Sequence, residues 1–291
     1  MRYAYNTLVY GDEPIARGIA RVARYGYDGV EIVGEPELLD TGEIRDLLHK
    51  HSINASSILG IYTPQRDLVS SDPSIRRAAI EYIKANVRVA HTLGAEVTSV
   101  TPTACMKIRP EADLTQEWAW AEEGLREAGE YAGEHGIKIA VEPWNRYETY
   151  LVNRMEQAIE LVDRVGLPSV GCMADTFHMN IEEVSLADAI RQAGHRLYHF
   201  HAADSNRAAP GRGHIDFRPI FEALSDINYQ GYISMELLPA AGDPFLVLKG
   251  GEAHEFLDQY TQEAITYLKE IAHEQWSYEG SSAPWSPRSS R

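Results

Sequence analysis

The 291-residue chain has only two cysteines, Cys105 and Cys172. A disulfide framework is therefore excluded, and a reducing, cytoplasmic compartment is expected. No apolar run approaches the roughly 18–20 residues that span a bilayer, so no membrane partner is expected. The start, MRYAYNTLVYGDEP, has no basic segment followed by a long apolar core, and no signal peptide is expected. Basic residues are scarce: 27 Lys and Arg face 43 Asp and Glu, for a formal net charge of −16. Nucleic-acid binding draws much of its affinity from Lys and Arg neutralising phosphates, so nucleic acid is not an expected partner. No G-x-G-x-x-G follows the first strand candidate, which removes the main support for a dinucleotide fold. Hydrophobic residues make up 44% of the chain and mean hydropathy is −0.33, as in a soluble globular protein.

Short β-branched runs alternate with longer amphipathic stretches. Strand candidates are 2–6, 29–33, 53–59, 96–101, 138–142, 169–175, 197–201 and 232–236. The clearest helix lies in SDPSIRRAAIEYIKANVRVAHTLGA, where Pro73 suits the first turn and Gly94 the end. Further helices are expected over Thr115–His135, Asn153–Val165 and Ala253–His273. Eight strands alternating with helices imply parallel β/α units, and a chain of this length suits a single-domain α/β protein, a closed (β/α)8 barrel, over residues 1–275. The segment 276–291 is rich in Ser, Pro and Gly and reads as a flexible tail, or one that docks on a partner subunit.

Four of these runs end in residues that packing does not call for: Glu142, Asp175, His201 and Glu236. Residues i and i+2 of a strand share a face. Ala140 therefore goes with Glu142, Gly171 and Met173 with Asp175, Leu197 and His199 with His201, and Ser234 with Glu236. If these faces point inward, the four side chains converge at the C-terminal rim, where barrel active sites form. Three carboxylates and one imidazole make a mostly oxygen metal site. That set suits Mn²⁺, Mg²⁺ or Co²⁺ better than a structural zinc.

Nearby, His178, Glu148 and Arg207 are candidates for substrate contact, each with a plainer reading as a locally bonded or solvated side chain. His199 reads as support beneath His201 or as core. Gly211 and Gly213 free the loop after strand 7, and Asp216 reads as a helix N-cap. Trp118 and Trp120 are expected to pack helices, and Cys172 to lie outward under them.

VEPWNRYETYLVNR, DTFHMNIEE, FHAADSNRAAPGRGHIDF and GYISMELL resemble the ketose 3-epimerases of the D-tagatose and D-allulose (psicose) 3-epimerase type. These are sugar phosphate isomerase/epimerase proteins with a xylose-isomerase-like TIM barrel. The likeness is specific over roughly 137–240 and weaker before that. It implies one divalent metal ion, Mn²⁺ first with Co²⁺ or Mg²⁺ as alternatives, held by Glu142, Asp175, His201 and Glu236. It also implies that Glu142 and Glu236 are the catalytic acid/base pair, that Glu148, His178 and Arg207 bind a small sugar, and that the protein is a homodimer or homotetramer. The implied reaction epimerises a ketose at C3 through a metal-stabilised cis-enediolate, with the two glutamates on opposite faces.

The first half departs from that pattern. Strand 4 reads EVTSVTPTAC where a glycine-rich end is expected, Lys107 and Arg109 fall near the rim, and Tyr3 and Tyr5 are expected to line the distal end of the substrate. A related enolising enzyme with the same metal site is therefore the alternative: an aldose–ketose isomerase, an inosose-type dehydratase, or a lyase acting on 3-keto-glycosides or C-glycosides. A barrel that binds sugar without turning it over is opposed by the intact glutamate pair. An endonuclease IV relative would need many more His ligands and a less acidic chain.

Overall fold

A computed structural model describes residues 1–238 and 254–279. Eight parallel strands close into a barrel in sequence order: β1 (Arg2–Asn6), β2 (Gly29–Gly34), β3 (Asn54–Gly60), β4 (Val97–Val100), β5 (Lys138–Val141), β6 (Val170–Asp175), β7 (Leu197–Ala202) and β8 (Tyr232–Met235). β1 pairs with both β2 and β8, so no sheet edge is left open. The expected strands are all present, with ends shifted by one or two residues at most.

Helices α1 (Ile15–Arg24), α2 (Thr41–His51), α3 (Pro73–Leu93), α4 (Leu114–Glu134), α5 (Met155–Val165), α6 (Thr176–Glu182), α7 (Leu186–Ala193), α8 (Phe217–Asp226) and α9 (His254–Glu279) connect and flank the strands. Local chemistry sets their ends. Asp72 caps α3 by accepting from Ser74 N, Pro73 opens it, and Gly94 closes it at φ 73°. Asp216 caps α8 as expected, accepting from Arg218 N. α9 runs to Glu279, three residues beyond Trp276; the rest of the expected tail, 280–291, lies outside the described residues.

The main core lies between strands and helices and contains Cys172, facing outward as expected. Trp118 packs against the same core beneath Arg164, and Trp120 lies under Arg76. A small second cluster, Val97, Ala140 and Met173, fills the barrel interior. Tyr198, not Leu197, packs against it, and Leu197 belongs to the outer core. The register of β6 against β7 shifts at Cys172/Met173, so simple alternation fails there. Tyr3 and Tyr5 also correct an expectation. Both face outward, Tyr5 stacked on Tyr10 at 5.2 Å and Tyr3 near Lys269 of α9. The intervening parity of β1 carries Asn6 to the rim, so neither tyrosine lines the substrate end.

Candidate metal and sugar site

The site is built where β5 to β8 end. Asp175 closes β6 and caps α6: its Oδ1 accepts from Phe177 N at 2.7 Å. That fixes the carboxylate and leaves Oδ2 turned into the barrel. One helical turn on, His178 returns to the same side, with Nε2 3.9 Å from Asp175 Oδ2 and 4.0 Å from Glu142 Oε1. His201 on β7 donates from Nε2 to Glu31 Oε2 at 2.7 Å. Its Nδ1 lies 3.8 Å from Asp175 Oδ2 and 3.7 Å from Glu236 Oε2. Glu142, Asp175, His178, His201 and Glu236 are all buried.

Two buried atoms at the centre, Asp175 Oδ2 and His201 Nδ1, have no hydrogen-bond partner among the described residues. An unsatisfied buried polar atom costs about 1–3 kcal/mol. Here a lone pair and a carboxylate oxygen converge, with a second carboxylate beside them. Ligands about 2.1 Å from one ion sit no more than about 4.2 Å apart, and these separations meet that bound. The residues therefore fit a divalent cation. The side chains that could hold an ion here fall into two overlapping groups: Asp175, His201 and Glu236, and Glu142, Asp175 and His178. Asn145 separates the roles of the two histidines. Its main-chain N–H donates to His178 Nδ1 at 3.2 Å, with its side-chain amide 2.8 Å from the same atom. The neutral His178 ring therefore carries its proton on Nε2, which makes that edge a donor and not a ligand. His201 is arranged the other way round, with Nδ1 open.

Electrostatics split the two glutamates. Burial, reinforced by Glu236 and Asp175 against the opposing charge of His201, raises the Glu142 carboxyl well above its ordinary range. Burial also works to raise Glu236, but the Arg207 guanidinium and His201 outweigh it and hold it low. Arg207 donates to Glu236 Oε2 at 2.6 Å, and Asn6 Nδ2 to Oε1 at 3.1 Å. Asp175 is brought down to about 2: burial opposes this, and the His178 and His201 rings overcome it. Burial lowers His178. Burial also disfavours charge on His201, yet Glu31, Asp175 and Glu236 raise it.

Arg207 reaches the site from a loop with a costly backbone. Its φ is 61°, a left-handed conformation held by Arg207 N to Asp204 O at 2.8 Å and Leu238 N to Arg207 O at 2.7 Å. Gly213 lets the loop close on buried Asp204, since a Cβ there would stand 2.2 Å from Asp204 Oδ1. Glu148 accepts from Asn145 Nδ2 at 2.9 Å and faces Arg207 at 3.7 Å.

The structure thus brings together all seven expected residues: Glu142, Glu148, Asp175, His178, His201, Arg207 and Glu236. Lys107 is not with them; it is tied to Asp67 Oδ2 at 2.7 Å and Val69 O at 3.2 Å. Arg109 is exposed. Sequence reasoning missed Asn6, Glu31 and Asn145. Glu31 had a signal, a carboxylate in the middle of the apolar run GVEIV, and Asn6 ends a strand as Glu142 does.

A family model described as xylose isomerase-like TIM barrel matches residues 19–271. The chain belongs to the xylose isomerase-like TIM-barrel family. Within that family it is similar to a D-psicose 3-epimerase of Ruminiclostridium cellulolyticum, 31% identical over 269 residues, covering 87% of this chain and 90% of that protein. A D-psicose 3-epimerase of Enterocloster bolteae is 40% identical over 194 residues, 65% of this chain and 61% of its relative's length. The solved structure of D-psicose 3-epimerase with D-tagatose from Clostridium cellulolyticum H10 matches with a TM-score of 0.85 at 28% identity, over 93% of this chain and 99% of that one. The resemblance to ketose 3-epimerases is thereby borne out. No helix among the described residues is long and apolar enough to cross a membrane.

Proposed function

We propose that this chain is a metal-dependent ketose 3-epimerase in which Glu142 and Glu236 exchange the C3 proton from opposite faces of the sugar. The observation that carries this reading is the buried convergence of Asp175, His201 and Glu236, with Glu142 beside Asp175, around ligand atoms left unpaired among the described residues; the two glutamate carboxyls are biased in opposite directions there. Two titratable groups pushed apart in this way mark an acid and a base. A divalent cation held by Asp175, His201 and Glu236, with Glu142 adjoining through Asp175, would supply the positive charge that favours loss of a proton beside a carbonyl.

The chain's own residues do the rest. Glu236, biased toward the ionised form by Arg207 and His201, suits removal of the C3 proton. Glu142, whose carboxyl burial biases toward holding a proton, suits its return on the other face. Running the reaction backwards exchanges the two roles, as a reversible epimerisation requires. His178 presents its Nε2–H between Glu142 and Asp175, where a sugar hydroxyl accepts it. Glu148 and Arg207 border the same space and bind further hydroxyls. Mn²⁺ as the resident ion, a homodimer or homotetramer and a cytoplasmic location belong to the same reading; light scattering on the purified protein tests the assembly.

The test is proton NMR in D₂O with Mn²⁺ and a panel of D-allulose, D-fructose, D-tagatose and a 3-keto-glucoside. Deuterium at C3 together with the epimer is the expected result. Exchange confined to C1 or C2, or release of an aglycone, would transfer the site to an isomerase or a lyase.

A further inference from the structure

We propose that Glu31 is a positioning residue that decides which nitrogen of His201 faces the cation; the inference rests on the metal-site reading above. Glu31 lies at the floor of the barrel, wholly buried, where a lone carboxylate is costly. Four donors surround it. His201 Nε2 is 2.7 Å from Oε2 and His199 Nε2 is 2.9 Å from Oε1. Ser234 Oγ donates to Oε2 at 2.8 Å and Ser57 Oγ to Oε1 at 2.9 Å. A carboxylate has about four acceptor positions, and here all are used.

Two consequences follow from that count. Glu31, His199 and His201 lie close enough to hold an ion, but every acceptor of Glu31 is already engaged, so this trio is a support and not a second metal centre. An acceptor-only group obliges both imidazoles to place a proton on Nε2, and this leaves Nδ1 of His201 as the lone pair turned to Asp175 and Glu236. The support is also built to stay in place. The β2–β3 register shifts between Val30 and Glu31, which sets Ser57 opposite Glu31.

Glu31→Gln tests this with little change of shape. An amide offers one acceptor oxygen and one NH₂, so two of the four donors must meet another donor. An imidazole facing that NH₂ has to move its proton to Nδ1; with the NH₂ in the place of Oε2 that imidazole is His201, which loses its ligating lone pair. Mn²⁺ titration followed by electron paramagnetic resonance on the full chain reads the effect directly, without turnover. Glu31→Gln should weaken Mn²⁺ binding by about 10–100-fold while the metal-free circular dichroism spectrum is unchanged. The double variant Ser57→Ala/Ser234→Ala, which keeps the carboxylate but frees it to turn, should weaken binding by less. Should Glu31→Gln not fold, that double variant decides: weaker binding supports the proposal, and wild-type affinity overturns it. Wild-type affinity in both folded Glu31→Gln and the double variant overturns it and leaves the metal site standing. No Mn²⁺ binding by the wild-type protein overturns both.

Discussion

The floor and the rim of the barrel are both buried and both rich in charge, yet their hydrogen-bond accounts differ. On the floor Glu31 has a donor for every acceptor position. At the rim, a few ångströms away across the His201 ring, Asp175 Oδ2 and His201 Nδ1 have none among the described residues. A fold that satisfies one edge of an imidazole so completely has not left the other open through poor packing. The comparison teaches that rigidity and reactivity are assigned to different atoms of one residue. The saturated edge fixes the ring, and the unsaturated edge is free to take a ligand that is not protein.

The sharpest way to break this contrast is at the rim. Glu142→Gln or Glu236→Gln should lower kcat by about 10²- to 10⁴-fold, the range for loss of a general acid or base. Circular dichroism should match that of the wild type, and retained turnover in either variant would remove that residue from the acid/base pair. Chelation comes next. An ion present at 100 times its dissociation constant stabilises the folded state by about 2.7 kcal/mol, so EDTA should lower Tm, and an unchanged melting curve would argue against a tight site.

Asn6→Ala removes the amide donor from Glu236 Oε1 while Arg207 still holds Oε2. A lost hydrogen bond to a charged group is worth about 1.5–3 kcal/mol, and kcat should fall by roughly tenfold or somewhat more. A lowered kcat with the metal-free fold intact, measured by steady-state kinetics, separates this from general destabilisation. The smallest effect belongs to a surface control. Hydrogen bonds from Arg77 and Lys84 bring Glu127 down to about 2. A folded-state value below the ordinary 4.5 gives stability that is complete above pH 4.5 and is lost as pH falls toward 2. Because Glu127 is 35% exposed, solvent screens the pair and Glu127→Gln should cost only about 0.2–1 kcal/mol in urea unfolding at pH 7. That cost should be the same with and without EDTA; a difference would mean that the surface pair communicates with the site.

Much of this was legible in the chain. Eight β-rich runs alternating with helices specify a barrel because period-2 and period-3.6 patterns cannot be exchanged, and Asp72, Pro73 and Gly94 specify the ends of α3 through local chemistry alone. Strand parity and the spacing of Glu142, Asp175, His201 and Glu236 also suffice to place four polar side chains on one rim. What the sequence could not decide is whatever depends on neighbours distant in the chain. The inward turn of Tyr198 follows from a register shift, the outward faces of Tyr3 and Tyr5 from which face of β1 the closed barrel turns inward, and the seat of Lys107 on Asp67 from loop packing. The same is true of the proton on His201. Its position is set by Glu31, 170 residues earlier, because hydrogen-bond valence is settled between side chains that only the closed barrel brings together.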